Sequence, residues 1–89
     1  MEKYYVYIIQ SLMDETFYKG FTTDYQKRLS QHNRGESRYT SKKTPWKLVY
    51  VEQCTDKKSA LKREKSLKRT NSEYLSLLIH QPTNLLKQQ

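Results

Sequence analysis

Cysteine, glycine, proline and acidic residues are all scarce in this chain of 89 residues. The one cysteine, Cys54, excludes an internal disulfide and cannot by itself build a thiolate zinc site. A reducing cytoplasm is therefore the expected setting, with Cys54 buried at a strand end. Two glycines and two prolines leave no stretch that reads as a flexible linker, and no internal repeat is visible. One domain over residues 1–82 is expected, followed by a frayed tail at 83–89. So short a chain buries only a thin core. No uninterrupted apolar run approaches the length of a membrane span, and no signal peptide opens the sequence. Only 9 acidic residues stand against 17 basic ones, for a net charge of +8. That imbalance suits a phosphate-rich partner, nucleic acid first among them. An anionic membrane surface would also fit the charge, but without a span the expectation is no membrane partner.

What is present is strongly patterned. Residues 3–10, "KYYVYIIQ", are rich in β-branched and aromatic side chains and apolar on both faces, which predicts a central strand. "TFYKGF" (16–21) predicts a second strand in a hairpin with the first, and "WKLVYVEQC" (46–54) a third. A helix is predicted over "TTDYQKRLSQHNRG", with Thr23 as its cap, Gln26 in capping-box spacing and Gly35 just past its end. "ESRYTSKKTP" reads as a basic loop. "TDKKSALKREKSLKR" predicts a second helix capped by Thr55 or Asp56. Thr70 and Glu73 then form a capping box for a third helix over 71–80. The order β-β-α-β-α-α predicts an α+β fold, a three-stranded antiparallel sheet flanked by about three helices.

Three constellations could carry chemistry. Arg28 and His32 stand four apart on one helical face, although taken alone they read as two solvated polar residues. Tyr7 and Tyr18, two of eight tyrosines, fall on adjacent strands and could present paired hydroxyls. Tyrosines that fill a small core and keep their hydroxyls wet are the commoner outcome. Glu64 lies in "SALKREKSLKR" (59–69), among Lys62, Arg63, Lys65, Lys68 and Arg69. Its helical position sets it beside Ala60, Leu61 and Leu67, which are expected to face inward, and so at the core margin. An ion pair with Lys68 one turn on is the plainer account, and an exposed pair of that kind is worth little.

In order and spacing, "YVY" (5–7), "YKGFTTDYQKRLSQH" (18–32), "YT", "TPWKLVYVE" and "ALKREKSLK" (60–68) resemble the GIY-YIG nuclease superfamily. The likeness is to its small single-domain bacterial members and covers residues 4 to about 69. Tyr5 stands where the first motif has glycine, and Lys19 where the second has isoleucine. The asparagine that some subfamilies carry after the glutamate has no counterpart placed here.

The resemblance implies the same small sheet fold and hydrolysis of a phosphodiester bond with one divalent cation, Mg²⁺ or Mn²⁺. DNA is the expected substrate, with structured RNA as the alternative. The family site carries over as Tyr7, Tyr18, Arg28, His32 and Glu64, with Glu64 as the metal ligand. Tyr7 is the expected general base and His32 its rival. A phenol titrates at about pH 10, so the neighbouring cations are expected to lower its pKa. Lys19, Arg34, Arg38, Lys42, Lys43, Lys62, Arg63, Lys65 and Lys68 are the expected nucleic-acid contacts. No appended domain supplies specificity, so the expectation is either weak cleavage without sequence preference or specificity supplied by a protein partner. Two other readings are a nucleic-acid-binding module of the same fold without efficient catalysis, and a basic adaptor that docks an acidic protein.

Overall fold

A computed structural model of the protein describes residues 3–88, apart from the side chain of Gln88. Met1, Glu2 and Gln89, which the expected domain and tail include, lie outside the described residues. The elements run β1 (Tyr4–Ser11), β2 (Phe17–Thr22), α1 (Tyr25–Asn33), β3 (Trp46–Cys54), α2 (Lys57–Lys68) and α3 (Ser72–Ile79). Short 3-10 turns cover Ser41–Lys43 and Leu85–Gln88. The strands form one antiparallel sheet in the order β2-β1-β3. This is the α+β arrangement that the sequence predicts.

The two apolar faces of β1 explain its central place. Val6 and Ile8 join Tyr50, Ala60, Leu67, Leu75 and Leu78 in a core beneath α2 and α3. Tyr7 and Ile9 join Trp46 and Val51 in a second core, against which Tyr25 and Leu29 of α1 pack. A register shift between Ile8 and Ile9, opposite Tyr50 and Leu48, bulges β3 by one residue. Val49 and Tyr50 therefore both serve the first core, while Leu48 and Val51 serve the second.

The helix ends differ from expectation by one residue. Asp24, not Thr23, caps α1 by accepting from the Lys27 N–H at 3.0 Å. Asn71, not Thr70, caps α3 by accepting from the Tyr74 N–H at 2.8 Å. In each case a carboxylate or amide oxygen outcompetes a neighbouring hydroxyl. Thr70 instead donates to the Ser66 carbonyl at the end of α2. Asp56 caps α2, and Gly35 follows α1 with a φ of 76°. Leu61 is 43 % exposed rather than inward-facing, because Ala60 and Leu67 alone define the buried stripe of α2. Cys54 ends β3 only half buried.

The expected fraying of the tail is corrected at Asn84, which is 1 % exposed. Its amide donates to the carbonyls of Val49 and Ile79, both at 2.9 Å, and accepts from the Val51 N–H at 3.2 Å. β3 is a sheet edge, with backbone groups left unpaired by any strand. Asn84 satisfies them at the bulge, and Leu85 and Leu86 then pack on the second core. Among the described residues no helix is long and apolar enough to cross a membrane.

Candidate active site

Tyr7 sits at the middle of the central strand, with Gly20 of β2 as its partner across the ladder. A Cβ on residue 20 would stand 2.5 Å from the Tyr7 hydroxyl and 2.7 Å from Cζ. The missing side chain lets the Tyr7 ring lie across β2 toward the sheet edge. Tyr18 of β2 is close by, with ring centroids 6.5 Å apart.

α1 brings His32 against both rings. Its centroid is 5.9 Å from that of Tyr7 and 5.1 Å from that of Tyr18. The solvated pair suggested by Arg28 and His32 alone is thereby corrected, since His32 is 0 % exposed. Its Nε2 lies 3.0 Å from the Tyr7 hydroxyl, and its Nδ1 lies 2.7 Å from Oγ1 of Thr40. Burial first, and then the nearby Arg28 guanidinium, push the His32 pKa down to about 4. At neutral pH the imidazole is therefore uncharged.

Burial acts in the opposite direction on Tyr7. Loss of hydration raises its pKa to about 12, against a lowering contribution from a hydrogen bond with Arg28. Tyr18 and Glu64 add to the rise. The expectation that local cations would lower the Tyr7 pKa is thus corrected, because desolvation outweighs a single guanidinium. Arg28 itself is half-buried and donates from Nη1 to Gln31 Oε1 at 2.9 Å.

Glu64 reaches this group from α2 and acts on Tyr7 electrostatically. Its side chain is 17 % exposed, in keeping with a place at the core margin, and Lys68 Nζ lies 3.7 Å from Oε1. Both sequence readings of Glu64 therefore describe the same side chain. No group of three or more His, Cys, Asp or Glu side chains stands ready for a metal among the described residues. That donor set suits a hard cation bound through one carboxylate, with waters and substrate phosphate completing the shell. It does not suit a closed zinc site.

The predicted basic contacts divide into groups. Lys19 and Lys68 line an open cleft of about 370 Å³ together with Phe17, Tyr18 and Tyr39. Partial burial, and then Lys68, lower the pKa of Lys19. Arg38, Lys42, Lys62 and Lys65 are exposed. Arg34 pairs with Glu36 at 2.7 Å and Lys43 with Asp14 at 3.0 Å. Arg63 pairs with Glu52 at 3.2 Å, on the same carboxylate oxygen to which Tyr50 donates.

Gly20, Tyr39 and Thr40 carry no role in the sequence reading. The hairpin register that opposes Gly20 to Tyr7 could have singled out Gly20. Nothing periodic links Thr40 to His32, since a loop joins them.

The family model described as the GIY-YIG catalytic domain matches residues 3–75. A UPF0213 protein of Natronomonas pharaonis is 42% identical over 76 residues, covering 81% of this chain and 88% of that protein. One from Syntrophus aciditrophicus is 38% identical over 88 residues, covering 96% of this chain and 100% of that protein. The solution NMR structure of a UPF0213 protein from Bacillus halodurans superposes with a TM-score of 0.58 at 28% identity. That likeness covers 91% of this chain and 86% of the other.

Proposed function

The chain belongs to the GIY-YIG family, and from that premise we propose that it is a metal-dependent endonuclease hydrolysing phosphodiester bonds in DNA. The observation that carries the proposal is the convergence on the Tyr7 hydroxyl of His32 by a hydrogen bond and of Arg28, Tyr18 and Glu64 electrostatically. A chain that only bound nucleic acid would have no need to bury a tyrosine–histidine pair beside an arginine and a carboxylate.

In this reading Lys19 and Lys68 draw the phosphate backbone into the cleft, and Arg28 clamps the scissile phosphate where charge develops. Glu64 would hold Mg²⁺ or Mn²⁺, an ion that neutralises phosphate charge and stabilises the leaving oxygen. Tyr7 takes the proton of the attacking water. Its high pKa makes it scarce in the ionised form and strong as a base once ionised. His32, uncharged and buried, is hydrogen-bonded to that base rather than exposed to the water.

The test is a cleavage panel of single-stranded, duplex, flapped and branched DNA, with RNA alongside, each with and without Mg²⁺ or Mn²⁺. Metal-dependent cleavage that Tyr7→Phe and Glu64→Gln each lower by roughly a hundredfold or more is the expected result. Glu64→Gln should keep the parental melting temperature and bind DNA as tightly or more tightly, and Tyr7→Phe should still fold and bind DNA while melting lower, because His32 Nε2 loses its buried partner. Parental cleavage in Glu64→Gln would leave the carboxylate as no more than the ion-pair partner of Lys68. Tight binding with no cleavage under any condition would favour the binding module.

A further inference from the structure

Where β2, an outer strand of the sheet, meets the loop between α1 and β3, a smaller recess adjoins the cleft. It encloses about 160 Å³, and four of the residues that line it are aromatic: Phe17, Tyr18, Tyr39 and Trp46. Phe17, Tyr18 and Tyr39 are walls of the cleft and of the recess alike.

The fold holds these walls in place. Trp46 is 4 % exposed, and its indole donates to the Thr40 carbonyl at 2.9 Å. Tyr18 meets it edge-on, with ring centroids 6.5 Å apart. Thr40 is itself buried and tied through Oγ1 to His32, which anchors the backbone beside Tyr39. Tyr39 nonetheless leaves 85 % of its surface in water while its ring stays 6.4 Å from that of Tyr18. A ring fixed in solvent next to other rings offers a flat face for stacking.

The recess and the cleft differ in charge. Lys43 lines the recess, but its Nζ lies 3.0 Å from Asp14 and donates to Thr16 Oγ1 at 3.1 Å. With Lys43 and Thr16 engaged with each other, ring surface is what remains for a ligand, and it suits an uncharged planar group. The cleft next door carries the ammonium groups of Lys19 and Lys68, which suit an anion. A nucleotide is that combination, a phosphate joined to a flat uncharged base. Pockets for drug-sized ligands run to about 300–1,000 Å³, so this recess takes one ring system and not a base pair.

We propose that the aromatic recess is a nucleobase subsite, in which one unpaired base of the bound strand stacks on Tyr39 while its phosphate lies in the cleft. The proposal rests on the reading above that Lys19 and Lys68 draw the phosphate backbone into that cleft. Stacking of this kind accepts any base, because every base has a π-face. Its use is to set the register of the strand. Tyr18 borders the recess and also stands 6.5 Å from Tyr7, ring to ring, so a seated base fixes which phosphate meets the Tyr7 hydroxyl.

The experiment follows the fluorescence of Trp46, the one tryptophan of the chain. The full chain, without divalent cation and at low salt, is titrated with a single-stranded oligothymidylate and with an abasic strand of the same length and charge. The thymidylate strand should quench Trp46 and bind about tenfold or more tighter than the abasic one. Tyr39→Ala should remove most of that difference by weakening thymidylate binding alone, and Tyr39→Phe should keep it. Equal affinities of the parent for the two strands would overturn the subsite, whatever the variants do. So would parental thymidylate binding by Tyr39→Ala, or tighter thymidylate binding that leaves Trp46 unquenched. If neither strand binds, the phosphate reading of the cleft falls and the subsite falls with it. Strands that bind as expected but are never cleaved once Mg²⁺ or Mn²⁺ is added would end the nuclease reading and leave the subsite standing.

Discussion

Tyr7 reaches across β2 only because residue 20 has no side chain. In Gly20→Ala the new methyl would press on the Tyr7 oxygen at 2.5 Å, and a ring that is 2 % exposed has nowhere to retreat. Overpacking of this kind costs about 1–3 kcal/mol, measurable by urea unfolding. Cleavage should fall further than stability does, since the ring must leave its hydrogen bond with His32. Parental cleavage in Gly20→Ala would mean that the ring position is not needed. The second prediction at this scale concerns His32, whose pKa falls from 6.5 to about 4 on folding. Between those values the unfolded chain binds the extra proton, so stability is full above about pH 6.5 and is lost as the pH falls toward 4. The slope should reach at most about 1.4 kcal/mol per pH unit and should flatten in His32→Gln. Acid-independent stability over that window would contradict the burial of an uncharged imidazole. Both residues stand in motifs that the sequence displays, but their burial does not. The same Arg28–His32 spacing fits an exposed helix face equally well, and only packing against the sheet distinguishes the two.

At the scale of elements, the least expected feature is the segment after α3. Polar and close to the end of the sequence, it reads as loose, yet Asn84 gives the edge strand one donor, to Val49, and one acceptor, to Val51, and donates a second time to Ile79 at the end of α3. Asn84→Ala should lower stability by about 1–3 kcal/mol, because the Val49 and Ile79 carbonyls and the Val51 N–H lose a buried partner. A melting temperature equal to the parent's would restore the frayed tail. Strand and helix positions were legible because the period of two in "KYYVYIIQ" and the caps around α2 are local signals. The hook at Asn84 was not, because it depends on a bulge more than thirty residues away in the sequence. Leu61 shows the same limit on a smaller scale. Its apolar character predicts an inward face, and the rotation of α2 on the sheet turns it out.

For the whole molecule, with a net charge of +8, the proposed DNA binding should weaken steeply with salt. The log–log slope should be about −0.9 for each duplex phosphate neutralised. Exposed Lys65 should contribute to that slope, so Lys65→Ala should flatten it by about one. Arg63, one of the same basic run, is held by Glu52 beside the first core. Arg63→Ala should leave the slope almost unchanged and lower the melting temperature instead. Equal effects of the two substitutions on the slope would show that Arg63 leaves its pair to meet the backbone.

By itself the sequence determined the class of fold, the order of its elements, the excess of positive charge and the candidates Tyr7, Tyr18, Arg28, His32 and Glu64. The first three are properties of local period and composition, and the candidate set is what the resemblance to the GIY-YIG family implies; all of these survive without a third dimension. Tertiary structure alone decided that desolvation lifts Tyr7 while it keeps His32 uncharged. It also decided that Thr40 completes their hydrogen-bonded row, and that Arg63 turns to Glu52. Burial and hydrogen-bond partners are set by chain segments that meet only on folding, and the energies of charge and of unpaired polar groups follow from those meetings.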